Sequence, residues 1–270
     1  MNNYTFEKII EVKNLSKYFG QIIALEKISF EVYKGEVFGF LGPNGAGKTT
    51  TINILCTLLM PTSGEAIVNG FNVVNFPNEV RKSIGIIFQD PSLDERLTAY
   101  ENLNFHGMIY HLPLKVRKAR IAEVLNMVGL YSKKDYIVRT FSSGMKRRLE
   151  IARGLMHKPH VLFLDEPTIG LDPQTRQHIW EYILGLSQNE KITMFLTTHY
   201  MDEAEICQRV GIIDHGKIVA LDTPSALKKN YAVPSLNDVF LELTGRDIRE
   251  ERPNNKERLG QFLRARKKLR

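Results

Sequence analysis

Cysteine is scarce in this sequence, and long apolar runs are missing from it. The 270 residues include only Cys56 and Cys207, which form neither a CxxC pair nor a zinc-binding spacing. This excludes a disulfide framework and favours two buried or partly buried thiols in a reducing compartment. No stretch approaches about 18 uncharged apolar residues, so we expect no membrane-spanning helix. Residues 1–13 carry scattered charges without an apolar segment, which argues against a secretory signal.

The charge of the chain is unevenly distributed. The net charge is +7, and 43% hydrophobic with 25% charged residues is typical of a globular chain that can bury a core. The length fits one large domain, with or without a small appendage. From Arg258 to Arg270 there are six basic residues and no acidic ones. We therefore expect a basic tail over 246–270 that faces solvent or lipid, and a nearly neutral body that gives little reason to bind nucleic acid.

The pattern of apolar residues predicts an α/β fold with a helical insert between two strand-rich parts. Strands or hairpins are expected over 9–33 (with a turn near Gly20), 36–41, 65–74, 83–88, 161–164, 193–197 and 210–221. Helices are expected over 48–59, 116–128 and 144–157.

A glycine-rich segment follows the strand at 36–41 and opens the helix at 48–59. It matches the pattern GxxxxGK[ST] through Gly42, Pro43, Asn44, Gly45, Ala46, Gly47, Lys48 and Thr49. Glycines let backbone N–H groups turn towards an anion, and the helix N-terminus adds partial positive charge. Lys48 supplies a full charge for the β- and γ-phosphates, the Thr49 hydroxyl can ligate Mg²⁺, and Thr50 continues the segment. A chance glycine-rich turn is the alternative, and the strand–loop–helix setting argues against it.

Polar side chains follow three of the other predicted strands. Asp165 and Glu166 end the strand at 161–164, where Asp165 would help to hold Mg²⁺ and Glu166 would act as general base. His199 follows the strand at 193–197 and is placed to reach the γ-phosphate. Gln89 ends the strand at 83–88, where its side-chain oxygen can ligate Mg²⁺. Taken singly, solvated acids, a structural histidine and a polar loop glutamine would give the same residues.

The order of these features resembles the ATP-binding cassette (ABC) family over residues 9–245. The features are Tyr18, residues 42–49, Gln89, residues 142–145, Asp165-Glu166, residues 170–172 and His199. The resemblance implies a P-loop NTPase of the ABC ATPase type, with a RecA-like mixed sheet core and a β-rich N-terminal part. It also implies one domain over 1–245, with an α-helical subdomain inserted at about 93–157, and ATP and Mg²⁺ as cofactors.

The same resemblance assigns further residues to ATP. Tyr18 corresponds to the aromatic residue that stacks on adenine, although its neighbour Phe19 is an alternative. Ser142, Ser143, Gly144 and Met145 correspond to the signature motif, usually LSGGQ, which caps the γ-phosphate held by the other protomer. Asp172 corresponds to the loop that crosses the dimer interface. The implied state is a head-to-tail pair of cassettes, formed with a second copy or a paralogous cassette, around two ATP molecules.

The signature motif departs from the family pattern at three positions. Phe141 replaces leucine, Ser143 replaces the first glycine and Met145 replaces glutamine. The Ser143 side chain stands where the backbone would approach phosphate closely, and its hydroxyl is also able to donate a hydrogen bond. Because Glu166 is intact, we still expect hydrolysis.

Three segments resemble ABC-2-type exporters in particular, such as the daunorubicin-resistance and sodium-extrusion ATPases. These segments are residues 143–153, 198–205 and 237–245. The resemblance implies an export subunit at the cytoplasmic face of the membrane, bound to a separate integral membrane permease. Residues 92–112 are the expected contact, and the core of the helical insert is the other interpretation of their apolar residues, which are Leu97, Tyr100, Leu103, Phe105 and Ile109.

Two other functions fit parts of the pattern. One is a soluble ABC-family ATPase that acts on nucleic acid or ribosomes, but such relatives usually carry two cassettes, a long coiled coil or zinc sites, and none is evident here. The other is an ATP-binding regulator that hardly turns over.

Overall fold

The computed structural model describes residues 7–89 and 92–245, and two β-sheets form its framework. The strands of the first sheet are β1 (Lys8–Phe19), β2 (Ile22–Tyr33), β4 (Ser63–Val68) and β5 (Phe71–Asn72). They form an antiparallel sheet in the order β2-β1-β4-β5. This sheet is the β-rich N-terminal part that the sequence predicts.

The second sheet is mixed and lies at the centre of the fold. Its strands are β3 (Val37–Leu41), β6 (Ile84–Ile87), β7 (Val161–Asp165), β8 (Thr193–Thr198), β9 (Arg209–Asp214) and β10 (Lys217–Asp222). The order is β10-β9-β3-β8-β7-β6, and every neighbouring pair is parallel except the β9–β10 hairpin. Every residue of β3, β7 and β8 is buried, as expected for strands that are covered on both faces.

Helices follow most of the strands, and three of them form the helical insert. The helices are α1 (Lys48–Leu55), α2 (Pro77–Ser83), α3 (Ala99–Ile109), α4 (Leu114–Met127), α5 (Ser143–Gly154), α6 (Pro173–Glu190), α7 (Met201–Ala204), α8 (Pro224–Asn230) and α9 (Leu236–Thr244). The insert consists of α3, α4 and α5 around a buried apolar core that includes Leu103, Ile121, Val124 and Leu149. It is joined tightly to the sheet, because a Cβ on Gly85 of β6 would lie 2.5 Å from the carbonyl oxygen of Gly154 in α5.

The structure confirms the predicted α/β class, the strand positions and the helical insert, and it corrects several bounds. Helix α1 ends at Leu55, because the backbone turns at Thr57 (φ 62°) into the left-handed region. The strand predicted over 83–88 is shorter in the structure, because β6 covers Ile84–Ile87 and Ser83 is the last residue of α2. Helix α2 itself was not predicted. Helix α4 begins at Leu114, two residues before the predicted start, and Val116 in its first turn is 53% exposed.

Both cysteines are buried and free, as predicted. Among the helices of the described residues, none combines the length and the apolar character needed to cross a bilayer. The basic tail predicted over 246–270 lies outside the described residues.

Candidate functional site

Four adjacent parallel strands bring the predicted site residues to one edge of the central sheet. The strands stand in the order β3, β8, β7, β6, so their carboxyl ends share that edge. Gly42 follows β3, His199 follows β8, Asp165 ends β7 and Gln89 lies two residues beyond β6. Parallel pairing thus places together residues that are more than 150 positions apart in the sequence.

The glycine-rich loop between β3 and α1 passes so close to its neighbours at Gly42 and Gly47 that side chains are excluded there. A Cβ on Gly42 would lie 2.4 Å from the carbonyl oxygen of Ile213, and one on Gly47 would lie 2.8 Å from that of Ala24. At Gly45 the reason differs, because a Cβ there would meet open space. Its φ of 77° instead requires the left-handed conformation. The loop therefore presents backbone to the space above it.

The side chain of Lys48 turns back into this loop. It is 6% exposed, and its ammonium donates to the carbonyl oxygens of Gly42 at 2.6 Å and Pro43 at 3.3 Å. Its Nζ also lies 4.0 Å from Oε1 of Glu166. Burial lowers the pKa of Lys48, while the charges of Glu166 and Asp165 oppose that shift. The loop thus holds a partly desolvated cation where an anionic ligand would be bound.

The carboxylate of Asp165 is held by a threonine of the neighbouring strand. The Thr197 hydroxyl donates to Oδ1 of Asp165 at 2.5 Å. Burial raises the pKa of Asp165, and the Thr197 hydrogen bond and the charges of Lys48 and Arg147 act in the other direction. A bound cation would favour the ionised form of this buried carboxylate, which is the behaviour expected of a metal ligand.

Glu166 has an unusual backbone conformation. Its φ of 47° lies in the left-handed region, which costs a non-glycine residue about 1–3 kcal/mol. The conformation is held by its N–H, which donates to the carbonyl and hydroxyl oxygens of Thr197, each at 3.1 Å. Strain of this kind is concentrated at functional positions, and here it directs a carboxylate towards Lys48.

His199 completes the arrangement around Glu166. Its Nδ1 lies 3.3 Å from Oε1 of Glu166, the same oxygen that faces Lys48. The imidazole also contacts the ring of Tyr200, with centroids 4.2 Å apart, and the Arg176 guanidinium lies 4.2 Å from the centroid of that tyrosine ring. A cation and an imidazole therefore converge on one carboxylate oxygen.

The predicted signature residues and Asp172 form a second group. Ser142 is the N-cap of α5, where its hydroxyl accepts from the N–H of Met145 at 3.3 Å. Asp172 is the N-cap of α6 and accepts from the N–H of Thr175 at 3.0 Å, and hydrogen bonding to Thr175 lowers its pKa. A Cβ on Gly144 would lie 2.4 Å from Cγ2 of Thr175, so this glycine allows the two helix N-termini to touch.

The remaining predicted residues are mostly exposed or partly exposed. Tyr18 is 37% exposed and pairs with Ile23, one residue before Ala24, which abuts Gly47. Phe19 is also exposed, so both aromatic residues stay candidates for adenine stacking. The other exposed or partly exposed residues of the predicted site are Pro43, Asn44, Thr49, Thr50, Gln89, Ser143 and Met145, while Ala46 is buried.

The oxygen ligands at this edge suit a hard cation. The threonine hydroxyl of Thr49, the amide oxygen of Gln89 and the carboxylate of Asp165 are the ligand types that Mg²⁺ prefers together with phosphate oxygens and water. Among residues 7–89 and 92–245, no group of three or more His, Cys, Asp or Glu side chains is arranged to hold a metal ion by itself. The ligand types at this edge fit Mg²⁺ held jointly with phosphate.

Sequence reasoning missed residues that hold the site from behind. Glu203 is 1% exposed and accepts from the hydroxyls of Thr168 and, at 2.5 Å, Thr198, so it joins the segment after β7 to the end of β8. Thr197 and Arg147 were also missed. All three residues make hydrogen bonds to residues at least 18 positions away, and a sequence pattern carries no signal for such contacts.

Replacement of Asp165 by asparagine should stabilise the protein in the absence of nucleotide and metal. The folded-state pKa of Asp165 is raised above its ordinary value of 3.8, so its ionisation opposes folding at neutral pH. We expect Asp165→Asn to have the higher melting temperature at pH 7.5. The advantage should shrink as the pH falls through the raised pKa towards 3.8. If Asp165→Asn were less stable than wild type by the same margin at pH 7.5 and near pH 3.8, burial would not be raising the pKa of Asp165.

Comparisons with known proteins agree with this geometry. The family model described as ABC transporter matches residues 25–169. The chain is 41% identical over 224 residues to a daunorubicin/doxorubicin resistance ATP-binding protein of Streptomyces peucetius, covering 83% of this chain and 68% of that protein. It is 40% identical over 242 residues to a probable multidrug ABC transporter ATP-binding protein of Escherichia coli, covering 88% of this chain but only 42% of the relative.

A solved structure extends the agreement to three dimensions. The dimeric ATP-binding cassette MJ0796, bound to ADP and phosphate in a post-hydrolysis state, has a TM-score of 0.71 and 28% identity, and the match covers 79% of this chain and 98% of that one. With the family match, the relatives and the fold in agreement, the chain belongs to the ABC transporter family, as an ATP-binding cassette.

Proposed function

We propose that the chain binds ATP in the loop at 42–49 and hydrolyses it to drive export through a membrane transporter. The observation that carries the proposal is the convergence of Lys48 and His199 on one oxygen of Glu166 at the mouth of the loop. A cation for the phosphates, a carboxylate for the water and a histidine that orients both are the groups that phosphoryl transfer needs.

The loop and its surroundings bind the nucleotide. Backbone N–H groups of the loop and of the first turn of α1 cradle the phosphates, and Lys48 exchanges its contacts with Gly42 and Pro43 for the β- and γ-phosphate oxygens. Tyr18 stacks on adenine. Thr49, Gln89 and Asp165 would hold Mg²⁺, which would supply positive charge that neutralises the phosphates. Thr197 keeps Asp165 in place for this role.

Glu166 and His199 act on the attacking water. The water oxygen bonds to the γ-phosphorus while Glu166 accepts a proton from the water. The bond between the γ-phosphorus and the oxygen of the β-phosphate breaks, and ADP leaves with that oxygen. His199 donates to the γ-phosphate and holds Glu166 through its other contact. The strained backbone of Glu166 directs its carboxylate towards that point before ATP binds.

The second group of residues completes the site of a partner protomer. Ser142, Ser143 and Asp172 are exposed, and the N-termini of α5 and α6 present their positive ends side by side. In a head-to-tail dimer, of two copies or with a paralogous cassette, residues 142–145 cap the γ-phosphate of the partner's ATP. The dimeric state of the related cassette supports this arrangement.

Replacement of Glu166 by glutamine should stop turnover and leave nucleotide binding intact. The amide keeps the size of the side chain but cannot accept the proton, so we expect kcat to fall by about 100-fold or more. Because ATP persists, a dimer should accumulate with ATP and Mg²⁺ in size-exclusion chromatography. Glu181→Gln, on the exposed face of α6, is the control. Equal rates of phosphate release for wild type and Glu166→Gln would remove Glu166 from the mechanism and favour a regulator, and a persistent monomer would count against the dimer.

The helical insert offers a surface for a membrane permease subunit. Leu103 is buried in the core, whereas Phe105, Met108 and Ile109 of α3 are 60%, 51% and 56% exposed. The expected contact segment thus supplies both a core side and an apolar outer side. The cleft beside this outer side reaches Ser92, three residues after Gln89. A permease helix in the cleft would hold the cassette at the cytoplasmic face of the membrane. Through Ser92, that helix would respond to movement of the segment that carries Gln89.

The direction of transport follows the relatives. The matched proteins are described as multidrug transporter and drug-resistance ATP-binding proteins, which favours export. None of the relatives that we compared is described as a nucleic-acid or ribosome protein, so the alternative function is not favoured.

Replacement of Ile109 by aspartate should separate the cassette from its permease. A charge in the apolar contact cannot be desolvated cheaply, so we expect loss of the cassette from detergent-solubilised membrane complexes. The ATPase activity and melting temperature of the isolated variant should stay near wild type. Phe76→Asp, at an equally exposed aromatic residue outside the insert, is the control. Retained association would contradict the assigned surface, and co-purification with rRNA or DNA in place of membrane protein would support the alternative function.

A further inference from the structure

Helix α5 carries a row of charged side chains that the proposed chemistry does not use. Arg147, Glu150 and Arg153 are spaced by three residues and therefore share one side of the helix. Arg147 is 7% exposed and Glu150 is 2% exposed, and Nη1 of Arg147 lies 3.0 Å from Oε2 of Glu150. Burial of a charged group costs desolvation free energy, so the contacts of these three side chains must offset that cost.

The Arg147 guanidinium bridges the ends of β6 and β7. On one side, it donates to the carbonyl oxygen of Phe88, the residue before Gln89, at 2.7 Å. On the other side, it donates to the carbonyl oxygens of Pro167 at 2.5 Å and Glu166 at 3.3 Å. One rigid planar group therefore joins the backbone of the magnesium-ligand segment to that of the general-base segment.

Glu150 and Arg153 hold the chain on the far side of Gln89. Oε1 of Glu150 accepts from the N–H of Ser92 at 2.8 Å. Nη1 of Arg153 donates to the Ser92 carbonyl oxygen at 2.8 Å, and its other terminal nitrogen bonds the Ser92 hydroxyl. Helix α5 thus grips the chain both before and after Gln89.

We infer that Arg147 is a positioning residue, which fixes the segment of Gln89 against that of Glu166 and makes both follow the movement of α5. Glu150 supports it by orienting the guanidinium and by holding Ser92. The inference rests on the proposed function, in which the N-terminus of α5 caps the ATP bound by the partner. Engagement of that ATP then reaches the hydrolytic edge of the protomer's own site through Arg147.

The geometry separates positioning from nucleotide binding. Arg147 contacts the backbone at the rear of Glu166 and Phe88, and its hydrogen bonds do not involve the loop at 42–49. Loss of the guanidinium should therefore leave the phosphate cradle intact and displace the groups that act on water. A displacement of about 1 Å in such groups can lower a rate by about 100-fold.

The test compares Arg147→Met with Arg120→Met. Arg120 is a matched control, because it is also a buried arginine, 6% exposed, but it donates to the carbonyl oxygen of Leu155 at the other end of α5. We expect Arg147→Met to lower kcat for ATP about 10- to 100-fold, with the Kd of a fluorescent ATP analogue changed by less than about twofold. Arg120→Met should have a lower melting temperature than wild type and the same kcat.

Arg147→Lys extends the test if the methionine variant does not fold. A single ammonium cannot reach carbonyl groups on both sides, so we expect a kcat between those of wild type and Arg147→Met. Unchanged kcat in Arg147→Lys and Arg147→Met, or a loss of kcat matched by Arg120→Met, would overturn the inference while wild-type hydrolysis upholds the proposed function. Absence of hydrolysis in wild type itself would instead overturn both.

Discussion

The buried ammonium group of Lys48 faces the carboxylate of Glu166 across 4.0 Å, and the candidate site is built around this pair. The loop around Lys48 excludes water from its ammonium group, which instead donates hydrogen bonds to the carbonyl oxygens of Gly42 and Pro43. Such an arrangement is poorly stable on its own, because carbonyl dipoles replace water only in part. It is well suited to a multiply charged anion, which would replace those carbonyl contacts with full charges.

The surrounding fold keeps this pair in place with backbone contacts and with threonines. Glycines at 42 and 47 let the loop lie against β2 and β9, and Thr197 holds both Asp165 and Glu166 from the neighbouring strand. Glu203 then ties the segment after β7 to the end of β8. The functional side chains are thus positioned by rigid strands and their immediate supports, so only small displacements are needed to switch the site.

The helical insert connects the site at the edge of the central sheet to two exposed surfaces of the molecule. Helix α5 begins at the exposed signature residues, packs closely on β6 and reaches the hydrolytic edge through Arg147. The exposed side of α3 lies on the same insert. Surfaces that would receive a partner's ATP and a membrane subunit therefore belong to the element that grips Gln89 and Glu166.

The positions of the loop at 42–49 and of the strand that ends in Asp165-Glu166 could be predicted from sequence, because each is a contiguous segment with a local physical reason. Residues 142–145 were assigned through the family resemblance, and the roles of all these residues stay predictions. Glycines mark backbone approach, and an apolar strand ending in Asp165-Glu166 marks a sheet edge. The end of α1 was mispredicted, since Thr57 turns left-handed in spite of its residue type, and helix α2 was not predicted. Arg147 and Glu203 could not be found, because burial and long-range partners give these charged residues their roles.

If Lys48 binds the phosphates of ATP, titration calorimetry with a non-hydrolysable ATP analogue should depend on its ammonium group. We expect saturable, Mg²⁺-dependent binding to wild type and to Lys82→Ala, whose ammonium pairs with Glu79 on the surface. A folded Lys48→Ala should show no measurable binding. An affinity in Lys48→Ala equal to that of wild type would show that Lys48 does not bind the phosphates.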